Sequence, residues 1–139
     1  EINVSKAKSD ALDVDFSKVN FSSISVAKAG NDCVDFSAGN YVVEKAELAN
    51  CGDKGISVGE KAKAEIKYFR VDGADIGIAS KDSSDVIISK SNIKNVRNCF
   101  ASYKKKQEFD GAKLRINERP YGCANNDFKD KHSSIIHSK

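Results

Sequence analysis

The chain has 139 residues, 40% of them hydrophobic and 31% charged, with 23 basic and 20 acidic side chains and a net charge of +3. That composition fits one folded domain and excludes a disordered chain. The mixed charges give no footprint of nucleic-acid binding, and no run approaches the roughly eighteen apolar residues of a membrane-spanning helix. Met is absent even at position 1, as expected of a processed or excised product.

In chain order, Ile2-Asn3-Val4 reads as a strand at an open N-terminal end. Leu12-Asp13-Val14-Asp15-Phe16, Ile24-Ser25-Val26 and Ile56-Ser57-Val58 alternate with period two. No segment sustains a helical period, so the fold class is all-β. The stretches beginning at Gly30, Gly52, Ala74 and Arg97 repeat at about 22 residues, the length of one solenoid coil. Their turn ladder is Asn31, Asp53, Asp75 and Asn98, residue types that tolerate the left-handed conformation of a sharp bend. Behind it, Val34, Ile56, Ile78 and Ala101 form one inward column. A second ladder joins Phe21, Val43, Ile66 and Ile88 to Val26, Leu48, Val71 and Ile93 through Ile24, Ala46, Phe69 and Ser91.

Two ladders with one period, and no two-residue hairpin turns, predict parallel strands stacked about 4.8 Å apart around a narrow core. The expected architecture is a right-handed parallel β-helix of about five coils. Residues 1–118 form the coils and 119–139 a cap or tail of the same domain, in which Arg119 to Phe128 turn over the last coil and Ile135-Ile136 add a strand. His132 and His137 of that tail are expected as surface residues.

The repeat layout resembles the pectin-lyase-like superfamily over about residues 10–116. The segments Gly30-Asn31-Asp32-Cys33-Val34-Asp35-Phe36-Ser37 and Cys51-Gly52-Asp53-Lys54-Gly55-Ile56-Ser57-Val58-Gly59-Glu60 are similar to β-helix segments of uncharacterised bacterial surface or secreted proteins, some associated with spore-coat-type kinase domains. The resemblance implies an extracellular or cell-surface location. Against polygalacturonase-like hydrolases the frame matches and the chemistry departs. Asn31 stands where that mechanism needs an acid, Lys54 where it needs an imidazole and Ala79 where it needs a guanidinium. Asp10, Asp32 and Lys54 are the weak catalytic candidates left, with Asp13 or Asp35 as alternative members of a carboxylate pair. No catalytic set is assigned.

Asp10, Asp13, Asp32 and Asp35 cluster on the first two coils and can be imagined around Ca²⁺, although no EF-hand loop or Gly-Gly-x-Gly-x-Asp repeat is present, and no metal or other cofactor is assigned. A basic edge is the second candidate site. Lys61, Lys81, Lys104, Lys105 and Lys106 are expected along one side, with Tyr103 and Phe109 as stacking faces for an acidic glycan; the competing reading is a solvated loop neutralised by Glu60, Asp82, Glu108 and Asp110. Cys99 with Cys123 and Cys33 with Cys51 are spaced for two disulfides, the alternative being buried thiols. The leading functional expectation is a non-catalytic structural module that self-associates, or meets a neighbouring domain, through its open N-terminal coil. The alternative is a carbohydrate-binding or degenerate carbohydrate-active groove. Neither nucleic acid nor a membrane span is expected.

Overall fold

The computed structural model describes residues 1–123 and 126–138. It is a right-handed parallel β-solenoid of about six turns, roughly 22 residues each, with no helix among the described residues. Eleven strands build it: β1 (Ile2–Val4), β2 (Leu12–Phe21), β3 (Ile24–Val26), β4 (Val34–Val43), β5 (Ala46–Ala49), β6 (Lys54–Gly59), β7 (Lys63–Lys81), β8 (Asp85–Tyr103), β9 (Lys113–Ile116), β10 (Asp127–Lys129) and β11 (Ser134–His137). Every pairing between them is parallel.

The long strands bend around corners, so three stacked faces result. The first face runs through residues 12–15 of β2, the start of β4, then β6, the end of β7, the end of β8 and β10. The second runs through the end of β2, the end of β4, the start of β7, the start of β8, β9 and β11. The third stacks β1, β3, β5 and the middles of β7 and β8.

Alternation decides what is buried. Val34, Ile56, Ile78 and Phe100 form one inward column, and Val43, Ile66, Ile88 and Ile116 another, all fully buried. A slip of one residue would turn each column to water, which is why period two in the sequence fixes the register. Tyr41 stacks on Phe36 at 4.3 Å and closes the corner of the second coil, its hydroxyl donating to Ser37 O or Val14 O at 2.9 and 3.1 Å. Gly39 sits at φ 149° in that corner, where a Cβ would fall 2.2 Å from Ser17 O.

Two expected columns are displaced. Ile78 pairs with Phe100 and Ala79 with Ala101, so Phe100 is the inward residue and Ala101 faces outward. The repeat here is 22 residues without the extra residue that aligning Asn98 with Asp75 requires; Asn98 stacks on Ile76, and Arg97 reaches Asp75 at 3.3 Å. The turn ladder also has a different physical basis. None of Asn31, Asp53, Asp75 and Asn98 has positive φ. The left-handed residues are instead Phe16, Ala38, Glu60 and Asp82 at one corner and Asn50, Gly73 and Asn95 at another. Asn31, Asp53 and Asp75 continue the coil-to-coil backbone ladder, Asp53 N donating to Asn31 O at 3.0 Å and Asp75 N to Asp53 O at 2.7 Å.

At the C-terminal end, β10 and β11 extend the stack on two faces, so residues 127–129 join Ile135-Ile136 in a further turn. Ala124, Asn125 and Lys139 of the expected cap and tail lie outside the described residues. His137 Nε2 meets Asp127 Oδ2 at 2.7 Å across that turn, while His132 is exposed. Disulfides join Cys33 to Cys51 and Cys99 to Cys123, with Cα separations of 5.3 and 6.2 Å.

Candidate functional site

The outer surface of the first face is built from alternate residues of β2, β4, β6, β7 and β8. One outward column reads Asp13, Asp35, Ser57, Ala79, Ala101, and the next reads Asp15, Ser37, Gly59, Lys81, Tyr103. Beside them Asp10, Asp32 and Lys54 stack at the edge where the chain enters the face. The small residues Ser57, Gly59, Ala79 and Ala101 make a floor that is buried even though it points outward. Lys81 lies over part of it. A Cβ on Gly59 would sit 3.5 Å from Lys81 Cε, which places the Lys81 stem across that glycine.

Asp10 and Asp32 are tied into the backbone. Asp10 Oδ1 accepts from Asp32 N at 2.9 Å and from Asn31 Nδ2 at 2.8 Å, and Asp32 Oδ1 accepts from Lys54 N at 3.1 Å. Each carboxylate thus holds the next coil in place. Lys54, 9% exposed, ion-pairs with Asp53 at 2.7 Å and lies 4.0 Å from Asp32. Burial works against its charge. The hydrogen bond to Asp53 and the charges of Tyr103, Asp32 and Asp53 together outweigh it and hold the ammonium above its usual range. The three weak catalytic candidates therefore share one column in which each already has a structural partner.

Asp35 and Lys81 are different. Burial pushes the Asp35 carboxyl up to about 6; Lys81 opposes the shift, and Asp32, Asp10 and Asp13 add to it. Burial lowers the Lys81 ammonium, and Lys54 lowers it further. Among the described residues no hydrogen bond or ion pair within 4.0 Å reaches Lys81 Nζ. Burial also raises the Tyr103 hydroxyl, against the nearby charge of Lys54. Asp10, Asp13 and Asp35 bring carboxylate oxygens within 4.8 Å of one another. That is closer than the roughly 6.5–9.5 Å at which an inverting pair leaves room for water.

The expected basic edge separates into parts. Lys61 is exposed at the corner beyond Gly59, and Lys106 is ion-paired with Glu60. The triple-Lys loop is anchored by two carboxylates: buried Asp82 accepts from Lys105 N and Lys106 N at 2.7 and 2.8 Å, and Asp130 accepts from Lys104 N at 2.8 Å. Of the lysines assigned to a ligand, Lys81 lies on the face, and Lys105 is near enough for its charge to act on Lys81. Tyr103 meets Phe128 edge-on at 5.8 Å, and Phe109 is partly buried.

A hollow of about 490 Å³ lies on the second face, lined by Lys18, Asn20, Asn40, Lys63, Glu65 and Asp85 among others. Sequence reading missed it, although all six are outward positions of the alternating strands. Asn40, Lys63, Asp85 and Lys113 stack in register, so neighbouring charges in this hollow neutralise each other.

No family model, curated protein or solved structure matches the chain. Its demonstrated relationship to other β-helices is the architecture alone.

Proposed function

We propose that the chain is a rigid solenoid module that binds an acidic polysaccharide across the outer surface of its first face. The observation that carries this reading is Lys81, a partly buried lysine whose ammonium has no hydrogen-bond or ion-pair partner among the described residues and whose stem lies over Gly59. An unpaired cation in such a place is costly to the fold. A carboxylate or sulfate of a glycan supplies the direct partner that Asp35 and Asp32, whose charges act on Lys81 from beyond ion-pair distance, do not. Lys105 adds positive potential beside it, and Tyr103 offers a ring at the end of the same column. The two disulfides suit an oxidising, extracellular or cell-surface setting. The resemblance of the quoted motifs to the pectin-lyase-like superfamily is in keeping with this proposal.

Calorimetric titration with oligogalacturonate, oligoalginate and a sulfated oligosaccharide, with a neutral glucan as control, tests it. At least one acidic ligand should bind and the neutral one should not. Lys81→Met should weaken binding by about 10- to 100-fold, the worth of one charge-assisted contact. Equal binding by the variant, or binding of none of the acidic ligands, would remove the proposal.

Self-association end to end is a second reading with its own observation. β1 pairs only with β3 and β2 only with β4, while β10 and β11 each pair on one side, so strand edges at both ends have no neighbour among the described residues. Phe16, 83% exposed, and Phe128 and Ile136 lie at those ends. A second copy adding its last turn to the first would continue the ladder as a heterologous contact. Ile2 N donates to Ser23 O and Val4 O accepts from Ala27 N, so Ile2 and Val4 face β3 and the outward donor is that of Asn3. Asn3→Pro is therefore the variant that blocks growth while leaving the interior ladder intact. Sedimentation velocity over a wide concentration range should show concentration-dependent oligomers for the wild type and monomer for the variant; a monomeric wild type would exclude this reading.

A further inference from the structure

The corner between the first and second faces carries an aromatic ring that the fold does not use. In β2 the ladder to β4 passes from the Asp15–Ser37 pair to the Ser17–Gly39 pair, and Phe16 sits between them at φ 50° and 83% exposed. The left-handed conformation is costly for a bulky residue, and an exposed ring gains no burial in return. The same corner of later coils holds Ala38, Glu60 and Asp82, so the bend itself does not call for an aromatic side chain. A strained residue whose ring is left in water points to a contact outside the chain.

An independent feature lies a few residues further along the same strand. The hollow of the second face, about 490 Å³, begins at Lys18 and takes apolar lining from Val19, Val42 and Ile87. Its volume falls in the range, roughly 300–1,000 Å³, of sites that enclose a ring-bearing ligand. Val42 and Ile87 belong to the outward set of their strands and are half-buried, so their apolar surface faces the hollow rather than the core.

We propose that Phe16 is the anchor of a side-to-side dimer, seated in the second-face hollow of another copy of this chain. Charge favours that occupant. Phe16 is flanked by Asp15 and Lys18, one charge of each sign, and the hollow carries Lys63 together with Glu65 and Asp85, so each flanking charge has an opposite one available. Ring and hollow share strand β2, and two copies related by a two-fold axis each fill the other's hollow, which closes the contact at two. An aromatic anchor in a pocket is the kind of contact that dominates an interface. The dimer uses neither the strand edges at the ends of the stack nor Lys81, so it stands apart from end-to-end growth and from glycan binding.

Sedimentation velocity from the micromolar to the millimolar range tests it. The Asn3→Pro variant, in which end-to-end growth is blocked, should still pass reversibly from monomer to dimer, as the wild type does. Phe16→Asn keeps a residue suited to the left-handed corner. It should weaken the dimer about tenfold or more, yet melt at or above the wild-type temperature at a concentration where both are monomeric. Val42→Arg, outside the inward columns, should weaken the dimer by a similar factor by filling the hollow. A wild type that stays monomeric, or a dimer that survives Phe16→Asn or Val42→Arg, would overturn the proposal. Association lost in Asn3→Pro and kept in the other two variants would also overturn it, and would assign the contact to the strand edges.

Discussion

Replacing Asp35 by Asn should make the protein more stable at neutral pH and leave it nearly unchanged in acid. Burial and the neighbouring carboxylates raise the Asp35 pKa from 3.8 to about 6 in the folded chain. The folded state then binds this proton more tightly than the unfolded state, so stability is fullest below pH 4 and declines as pH rises to about 6. A shift of roughly 2 units corresponds to about 3 kcal/mol at 1.36 kcal/mol per unit, an order-of-magnitude figure that water relaxation around a half-buried group reduces. Asn keeps the shape and has no charge to bury. Urea denaturation of both proteins in chelator, at pH 4 and pH 7.5, measures the effect, and the stability difference should grow by about 2–3 kcal/mol in favour of Asn between the two pH values. A difference that does not change with pH would refute the reading of Asp35 as a carboxyl whose burial outweighs the opposing charge of Lys81. A carboxylate retained at such a cost is the kind of group that functional sites keep.

Ile56→Asp puts an unpaired charge into a fully buried column and should unfold the domain by several kcal/mol, read as lost cooperative melting. Lys81→Met should match or exceed wild-type stability while losing acidic-glycan binding, because the ammonium it removes is desolvated and unpaired; a marked loss of stability would argue that Lys81 is structural. Thiol titration in denaturant without reductant should find no free cysteine. Reducing the 18-residue Cys33–Cys51 link should then cost about 3 kcal/mol by the loop-entropy relation, seen as a lower urea midpoint.

Period-two alternation in Ile56-Ser57-Val58 and its 22-residue recurrence made the solenoid and most of its inward columns readable, because burial on one side of a strand writes itself into every second residue. The corners were less readable. Phe16, Ala38 and Lys61 take positive φ although none is a usual left-handed residue, so the surrounding coils rather than local preference set those bends. One inserted residue in the alignment near Asn98 sufficed to exchange Phe100 for Ala101 in the core. The carboxylates showed the same limit. Asp10 and Asp32 stand out as Asx residues near bends and prove to be bonded to the backbone, while Asp35 looks like an ordinary outward strand residue. What sets it apart is burial, which raises its pKa against the opposing charge of Lys81 from two coils later. A charge acting from Lys81, 46 positions away, has no local sequence signal.

Amide chemical-shift mapping during titration with an acidic oligosaccharide tests the central claim most directly. The account predicts shifts concentrated at Ser57, Gly59, Ala79, Lys81, Ala101 and Tyr103, on the outer surface of the first face. Shifts at Asn40, Lys63 and Asp85 in the hollow of the second face, with the first face silent, would contradict it.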